Sequence, residues 1–154
     1  MPTAPVAQEP RSVALGNAVV VDTNIVLDLF VFKDPATAPL LDALHSGRLR
    51  WLATAPMRQE LERVLDYPQI AKRRAFYQIT PAQVMAQFDG LAQLTGVPAK
   101  APVTCKDPDD QKFIDLAVCH KALVLSKDQA VLCMAKRLLA LGTIAQAAIK
   151  TVAS

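Results

Sequence analysis

The chain has 154 residues and a formal net charge of +3, enough for one domain that buries roughly 70% of its unfolded surface. Hydrophobic residues make up 52% and glycines number five, which excludes a disordered chain, and no apolar run reaches the ~18 residues of a membrane span. The start, Met1-Pro2-Thr3-Ala4-Pro5, has no charged-then-apolar leader pattern, so residues 1–14 read as a loose tail before a single domain over 15–154. Cys105, Cys119 and Cys133 form an odd set without a Cys-x-x-Cys pair. Free buried thiols in a reducing cytoplasm explain them better than a disulfide or a zinc site. The mild positive charge agrees with a polyanionic partner without requiring one.

Val19-Val20-Val21 is a run of β-branched residues of the kind buried on both faces inside a parallel sheet. Asp22 follows at its carboxyl end, where ligands sit in open α/β sheets. Asp22, Thr23 and Asn24 also suit a helix cap, and Ile25 to Phe32 is apolar enough for a buried element. Ala36 to Ser46 has Leu40, Leu41 and Leu44 at helical spacing and stops at Gly47. His45, at that end, suits the helix dipole. Leu49 to Ala53 alternates and forms the second strand. Pro56 opens the next helix, capped by Thr54 or Ala55. Met57, Leu61, Val64 and Leu65 are its apolar stripe, which Glu60 borders and Glu62 faces away from.

From Pro68 to Gly96 the pattern is wholly helical, its last helix opened by the capping box Thr80-Pro81-Ala82-Gln83. Lys72-Arg73-Arg74 forms a basic cluster, either a solvated helix face or a phosphate contact. Val97 to Thr104 is loop with room for a brief strand. Asp107-Pro108-Asp109-Asp110 begins the following helix. Phe113, Ile114 and Ala117 lie three, four and seven residues after Asp110, which puts Asp110 on the buried face and Asp115 opposite. Ala122 to Leu125 is a further buried strand, ending in Ser126-Lys127-Asp128. Val131 to Leu141 forms the last helix, stopped by Gly142, and Ile149 to Val152 could add a final strand.

Asp22 and Asp128 after strands, with Glu60 and Asp110 on inward helix faces, thus share one environment. Two carboxylates about 5 Å apart repel by roughly 3 kcal/mol at an effective dielectric near 20, so four need cations to stay ionised. All-oxygen ligation favours Mg²⁺ or Mn²⁺ over zinc, and neither histidine belongs to the set.

The pattern resembles the PIN-domain ribonucleases, in particular the toxins of bacterial toxin–antitoxin pairs. The resemblance is carried by Val20-Val21-Asp22-Thr23-Asn24, by Thr54-Ala55-Pro56 with Glu60-Leu61 and Val64-Leu65, by Asp107-Pro108-Asp109-Asp110 with Phe113, and by Ser126-Lys127-Asp128. It implies a three-layer α/β/α fold around a central parallel sheet, and Mg²⁺- or Mn²⁺-dependent hydrolysis of RNA. Asp22, Glu60, Asp110 and Asp128 would be the catalytic, metal-binding carboxylates, with Asn24, Thr54, Asp107 and Ser126 supporting them. Arg58, Lys106, Lys127 and the Lys72-Arg73-Arg74 cluster could hold neighbouring phosphates. The implied partners are RNA, a cognate antitoxin and a second copy of the chain. Lys127 departs from the family pattern, which has a small or amide-bearing residue there. A haloacid-dehalogenase-type phosphatase would need an acid where Asn24 stands, and a receiver domain would need adjacent acids near the first strand. The remaining alternative is a catalytically weak PIN scaffold that binds RNA or a protein partner.

Overall fold

The computed structural model describes residues 17–149; the tail expected over 1–14 lies outside them. Five strands form one sheet in the order β3-β2-β1-β4-β5, and every pairing is parallel. They are β1 (Ala18–Val21), β2 (Arg50–Ala53), β3 (Ala92–Leu94), β4 (Leu123–Leu125) and β5 (Ala145–Gln146). Eight α-helices among the described residues complete a three-layer α/β/α fold: α1 (Thr23–Phe30), α2 (Ala38–His45), α3 (Ala55–Val64), α4 (Pro68–Tyr77), α5 (Pro81–Leu91), α6 (Gln111–His120), α7 (Gln129–Leu132) and α8 (Ala135–Ala140). None is long and apolar enough to cross a membrane.

β1 is central, and all four of its residues are buried, which is why its sequence is a continuous apolar run rather than an alternation. Trp51 of β2 fills the space beside it, with Phe30 at 6.1 Å and Phe88 edge-on at 5.0 Å between ring centroids. Strand order runs outward from β1 to β2 and β3, then returns across the sheet to β4 and β5. The direction reverses between β1 and β4, and that switch opens the crevice in which α/β proteins bind ligands. Register sets the crevice walls: Val21 pairs with Leu125, and the Asp22 amide donates to the Leu125 carbonyl at 2.9 Å. Asp22 and Ser126 therefore leave the sheet side by side. The α6 helix packs against both strands and brings its N-terminus to the same edge.

Three expectations need correction, and a fourth falls mostly outside the described residues. The span from Pro68 to Gly96 is not wholly helical, because Ala92–Leu94 forms β3 beside β2. This edge strand has no β-branched residue and leaves Gln93 and Leu94 exposed, so backbone pairing with Trp51 to Ala53 makes it a strand, not side-chain pattern. The helix expected over Val131–Leu141 is two helices, α7 and α8, separated where the Met134 amide reaches back to the Val131 carbonyl. The last described strand is Ala145–Gln146, with Ile149 outside it; residues 150–152 lie outside the described residues. Of the cysteines only Cys105 is buried; Cys119 and Cys133 are exposed, and all three are free.

Helix boundaries otherwise follow local chemistry. Thr80 accepts from the Gln83 amide while the Gln83 side chain accepts from the Thr80 amide, the reciprocal capping box. Gly142 turns the chain after α8 at φ +87°, a conformation that side-chain-bearing residues adopt at a cost.

Candidate metal centre

Each acid of the crevice is positioned by the backbone that follows or precedes an element. Asp22 caps α1: one carboxylate oxygen accepts from the Asn24 amide at 3.0 Å, and the other accepts from the Ser126 hydroxyl at 2.5 Å. The cap and the ligand alternatives thus coexist, since capping occupies one lone pair of one oxygen. Ser126 is fully buried and its oxygen also accepts from the Asp128 amide at 3.0 Å. One hydroxyl therefore ties the ends of β1 and β4 together. Asp128 caps α7 through the Ala130 amide, and Asp107 caps the 3-10 turn Pro108–Asp110 through the Asp109 amide.

Asp110 ends that turn and is 7% exposed. Carboxylate oxygens of Asp107, Asp110 and Asp128 lie within 4.8 Å of one another. Burial, a hydrogen bond shared with Asp128, and the charges of Asp22, Asp128 and Asp107 push the Asp110 carboxyl up to about 8. The same hydrogen bond, with the Ala130 amide, holds Asp128 below the usual carboxylate range. Near neutral pH this pair accordingly shares one proton, which burial favours on the Asp110 side. Asp22 is raised as well, mainly by burial, against the lowering effect of Ser126 and Asn24.

The Oδ2 atom of Asp110 is buried and no donor among the described residues reaches it. A buried polar oxygen left unpaired is costly. A hard divalent cation is the partner that this all-carboxylate surrounding fits, because Mg²⁺ and Mn²⁺ take oxygen ligands whereas zinc favours nitrogen and sulfur.

Glu60 stands at the rim, half-buried, accepting from the Thr23 hydroxyl at 2.8 Å and paired with Lys112 at 3.2 Å. Its charge acts on Asp22. Glu62 is exposed. Thr54 is buried at the start of α3 without a side-chain cap bond, and Asn24 is exposed, meeting Asp22 through its backbone amide. Asp115 stays outside the group; it accepts from the Ala101 amide and the Gln111 side chain, fastening the preceding loop to α6.

The basic candidates divide. Arg58 makes two 2.8 Å bonds to Asp89, and Arg74 donates to the carbonyls of Leu65 and Ile79. Both are engaged within the protein. Lys72 and Lys106 are exposed. Arg73 lies over the Phe32 ring at 4.8 Å.

Lys127 pairs with Asp28 at 2.5 Å. Asp28 and Lys112 were not singled out from sequence. Asp28 is an acid inside a helix whose other residues, Asn24 apart, are all buried, and such an acid requires a partner; that requirement was the available signal. Lys127→Met leaves Asp28 buried and unpaired, so it is expected to destabilise the fold by about 1–3 kcal/mol. Adding Asp28→Asn should recover most of the loss in a denaturant titration. A double variant no more stable than Lys127→Met would show the pair to be incidental.

Among known proteins, a family model described as PIN domain matches residues 18–130, a span containing all five acids of the crevice. No curated protein matches the chain. PIN domains are generally metal-dependent nucleases, and the switch-point crevice with its buried carboxylates is the expected location for such chemistry. The parallel sheet, the acidic group at its carboxyl edge and the matched span agree: this chain belongs to the PIN-domain family.

Proposed function

We propose that the protein is a Mg²⁺- or Mn²⁺-dependent endoribonuclease that hydrolyses RNA phosphodiester bonds at the acidic crevice, acting in the cytoplasm as the toxin of a toxin–antitoxin pair. The observation that carries the chemistry is the buried, unpartnered oxygen of Asp110 among Asp22, Asp107 and Asp128. Asp22, Glu60, Asp110 and Asp128 are the groups assigned to hold the cation. When bound, a divalent ion supplies a Lewis acid for the scissile phosphate and makes a neighbouring water more acidic.

The protein's own groups prepare that chemistry. Ser126 fixes the rotamer of Asp22 and, through the Asp128 amide, the start of α7, so two acids from different strands are pre-positioned. Asp110 must release its proton before binding a cation, and Asp128 is the nearest oxygen already sharing it. Lys112 and Lys127 neutralise Glu60 and Asp28 while no substrate is bound. Both have amines within the crevice's reach and can turn to phosphate oxygens when RNA enters. The toxin role and an antitoxin partner rest on the sequence resemblance, as does a second copy of the chain.

The test is cleavage of a labelled single-stranded RNA by the metal-stripped protein with Mn²⁺ restored. Cleavage that needs Mn²⁺ and is blocked by EDTA supports the proposal. RNA left intact over a wide range of Mn²⁺ concentrations would leave only a binding scaffold. Growth arrest on expression, relieved by the product of the adjacent upstream gene, would support the toxin role.

A further inference from the structure

The α4 helix buries none of its residues fully, and its aromatic side chains face outward beside its basic ones. Phe76 is 77% exposed and Tyr77 42% exposed, and the two stand together rather than scattered singly. These residues form a chain of contacts. Phe76 meets Tyr77 edge-on with centroids 5.1 Å apart. The Arg73 guanidinium lies 5.8 Å from the Tyr77 ring centre and 4.8 Å from that of Phe32. Phe32 in turn lines an open cleft of about 320 Å³ with Ile70, Asn24, Lys127 and Asp128. The strip therefore runs from the exposed end of α4 to a cleft that one of the crevice acids also lines.

Rings alternating with cations suit one ligand chemistry in particular. Unpaired bases stack on aromatic faces and on guanidinium planes, while lysine and arginine meet the phosphates between them. A duplex hides its base faces and gains nothing from exposed rings. Lys72, exposed on the same helix, adds a charge that makes no ion pair among the described residues, unlike Arg74.

We propose that the strip Phe76–Tyr77–Arg73–Phe32 is a stacking track for single-stranded RNA that leads the substrate into the acidic crevice. This rests on the ribonuclease reading and adds the surface by which the strand would reach the crevice.

The test is fluorescence anisotropy of a labelled single-stranded RNA of about twenty nucleotides with the full chain in EDTA, so that binding is read without turnover. Phe76→Ala should weaken binding about tenfold, with Phe76→Trp retaining it. Phe76 is exposed, so folding is not at stake, and Leu139→Ala, a change at an apolar residue of α8 that is 62% exposed, should have no effect. Arg73→Gln should flatten the salt dependence by about 0.7 in log–log slope, the value of one phosphate contact on a single strand. The same sequence as a duplex should bind more weakly and ignore Phe76→Ala. Equal affinity of Phe76→Ala and wild type would overturn the track. So would a duplex that competes as well as the single strand, or a dimer that Phe76→Ala dissociates without changing RNA affinity. If RNA binds in a Phe76-dependent way but survives added Mn²⁺, the track stands and the nuclease reading falls. If RNA is cut while Phe76→Ala binds it normally, the reverse holds.

Discussion

Asp110→Asn is expected to lower Mn²⁺-dependent RNA cleavage by at least about a hundredfold while leaving the metal-free fold intact. Losing merely a supporting partner of a metal ligand costs about 10–100-fold, and Asp110 has the one buried side-chain oxygen among the described residues with no hydrogen-bond partner. The amide of asparagine keeps the shape and can donate to Asp128 as the protonated carboxyl of Asp110 does. It cannot ionise, so a substrate-bound cation would meet one negative charge fewer. Above pH 8 the metal-free variant should even be the more stable protein, because the wild type must ionise a buried acid beside other acids. A variant that cuts RNA at the wild-type rate would exclude Asp110 from the chemistry. Glu60→Gln against Glu62→Gln gives a parallel contrast, since Glu60 faces the crevice rim and Glu62 faces solvent.

Mn²⁺ should raise the melting temperature of the wild type by about 5–10 °C at a hundredfold excess over its dissociation constant. That excess supplies about 2.7 kcal/mol to the folded state, and a domain of this size gains about 2–4 °C per kcal/mol. The shift must depend on pH. Asp110 is pushed up to about 8 in the folded protein, above its ordinary value of 3.8, so the metal-free folded protein binds more protons than the unfolded chain between those limits. Stability without metal therefore falls as pH rises from about 4 to about 8 and levels off beyond. Metal and proton compete for the same oxygens, so the Mn²⁺-induced shift should grow across that window and level off above it. Melting curves from pH 5 to 9, with and without Mn²⁺, read both trends. In Asp110→Asn the metal-free decline should be largely gone; a decline as steep as that of the wild type would place the raised titration on another group.

Much of this site could be read from local pattern. Val19 to Val21 and Ala122 to Leu125 are short apolar runs that end in acids, and parallel pairing between them is what brings Asp22 beside Ser126. The inward turn of Asp110 followed from its spacing to Phe113, Ile114 and Ala117, all three buried. Features decided by tertiary contact were not legible. β3 is a strand only because β2 offers it an edge, and nothing in Ala92-Gln93-Leu94 favours that state. The pairs Lys127–Asp28 and Lys112–Glu60 join residues distant in sequence. Lys127 reads from sequence as a phosphate contact beside Asp128; its charge is met by Asp28, an acid buried in α1. The cluster Lys72-Arg73-Arg74 reads as one basic patch in sequence, yet helix α4 turns Arg74 toward backbone carbonyls and Arg73 toward rings.

On the proposed reading, the metal binds at the protonated Asp110–Asp128 pair. Calorimetric titration of the metal-stripped protein with Mn²⁺, in two buffers of different ionisation heat, tests this most directly. Carboxylate ligands must be deprotonated to bind, so metal binding at pH 7 should release about one proton, falling towards none above pH 9. Asp110→Asn should bind Mn²⁺ weakly and release no proton at any pH. Tight Mn²⁺ binding with no proton released at pH 7, or binding unchanged in Asp110→Asn, would contradict the assignment.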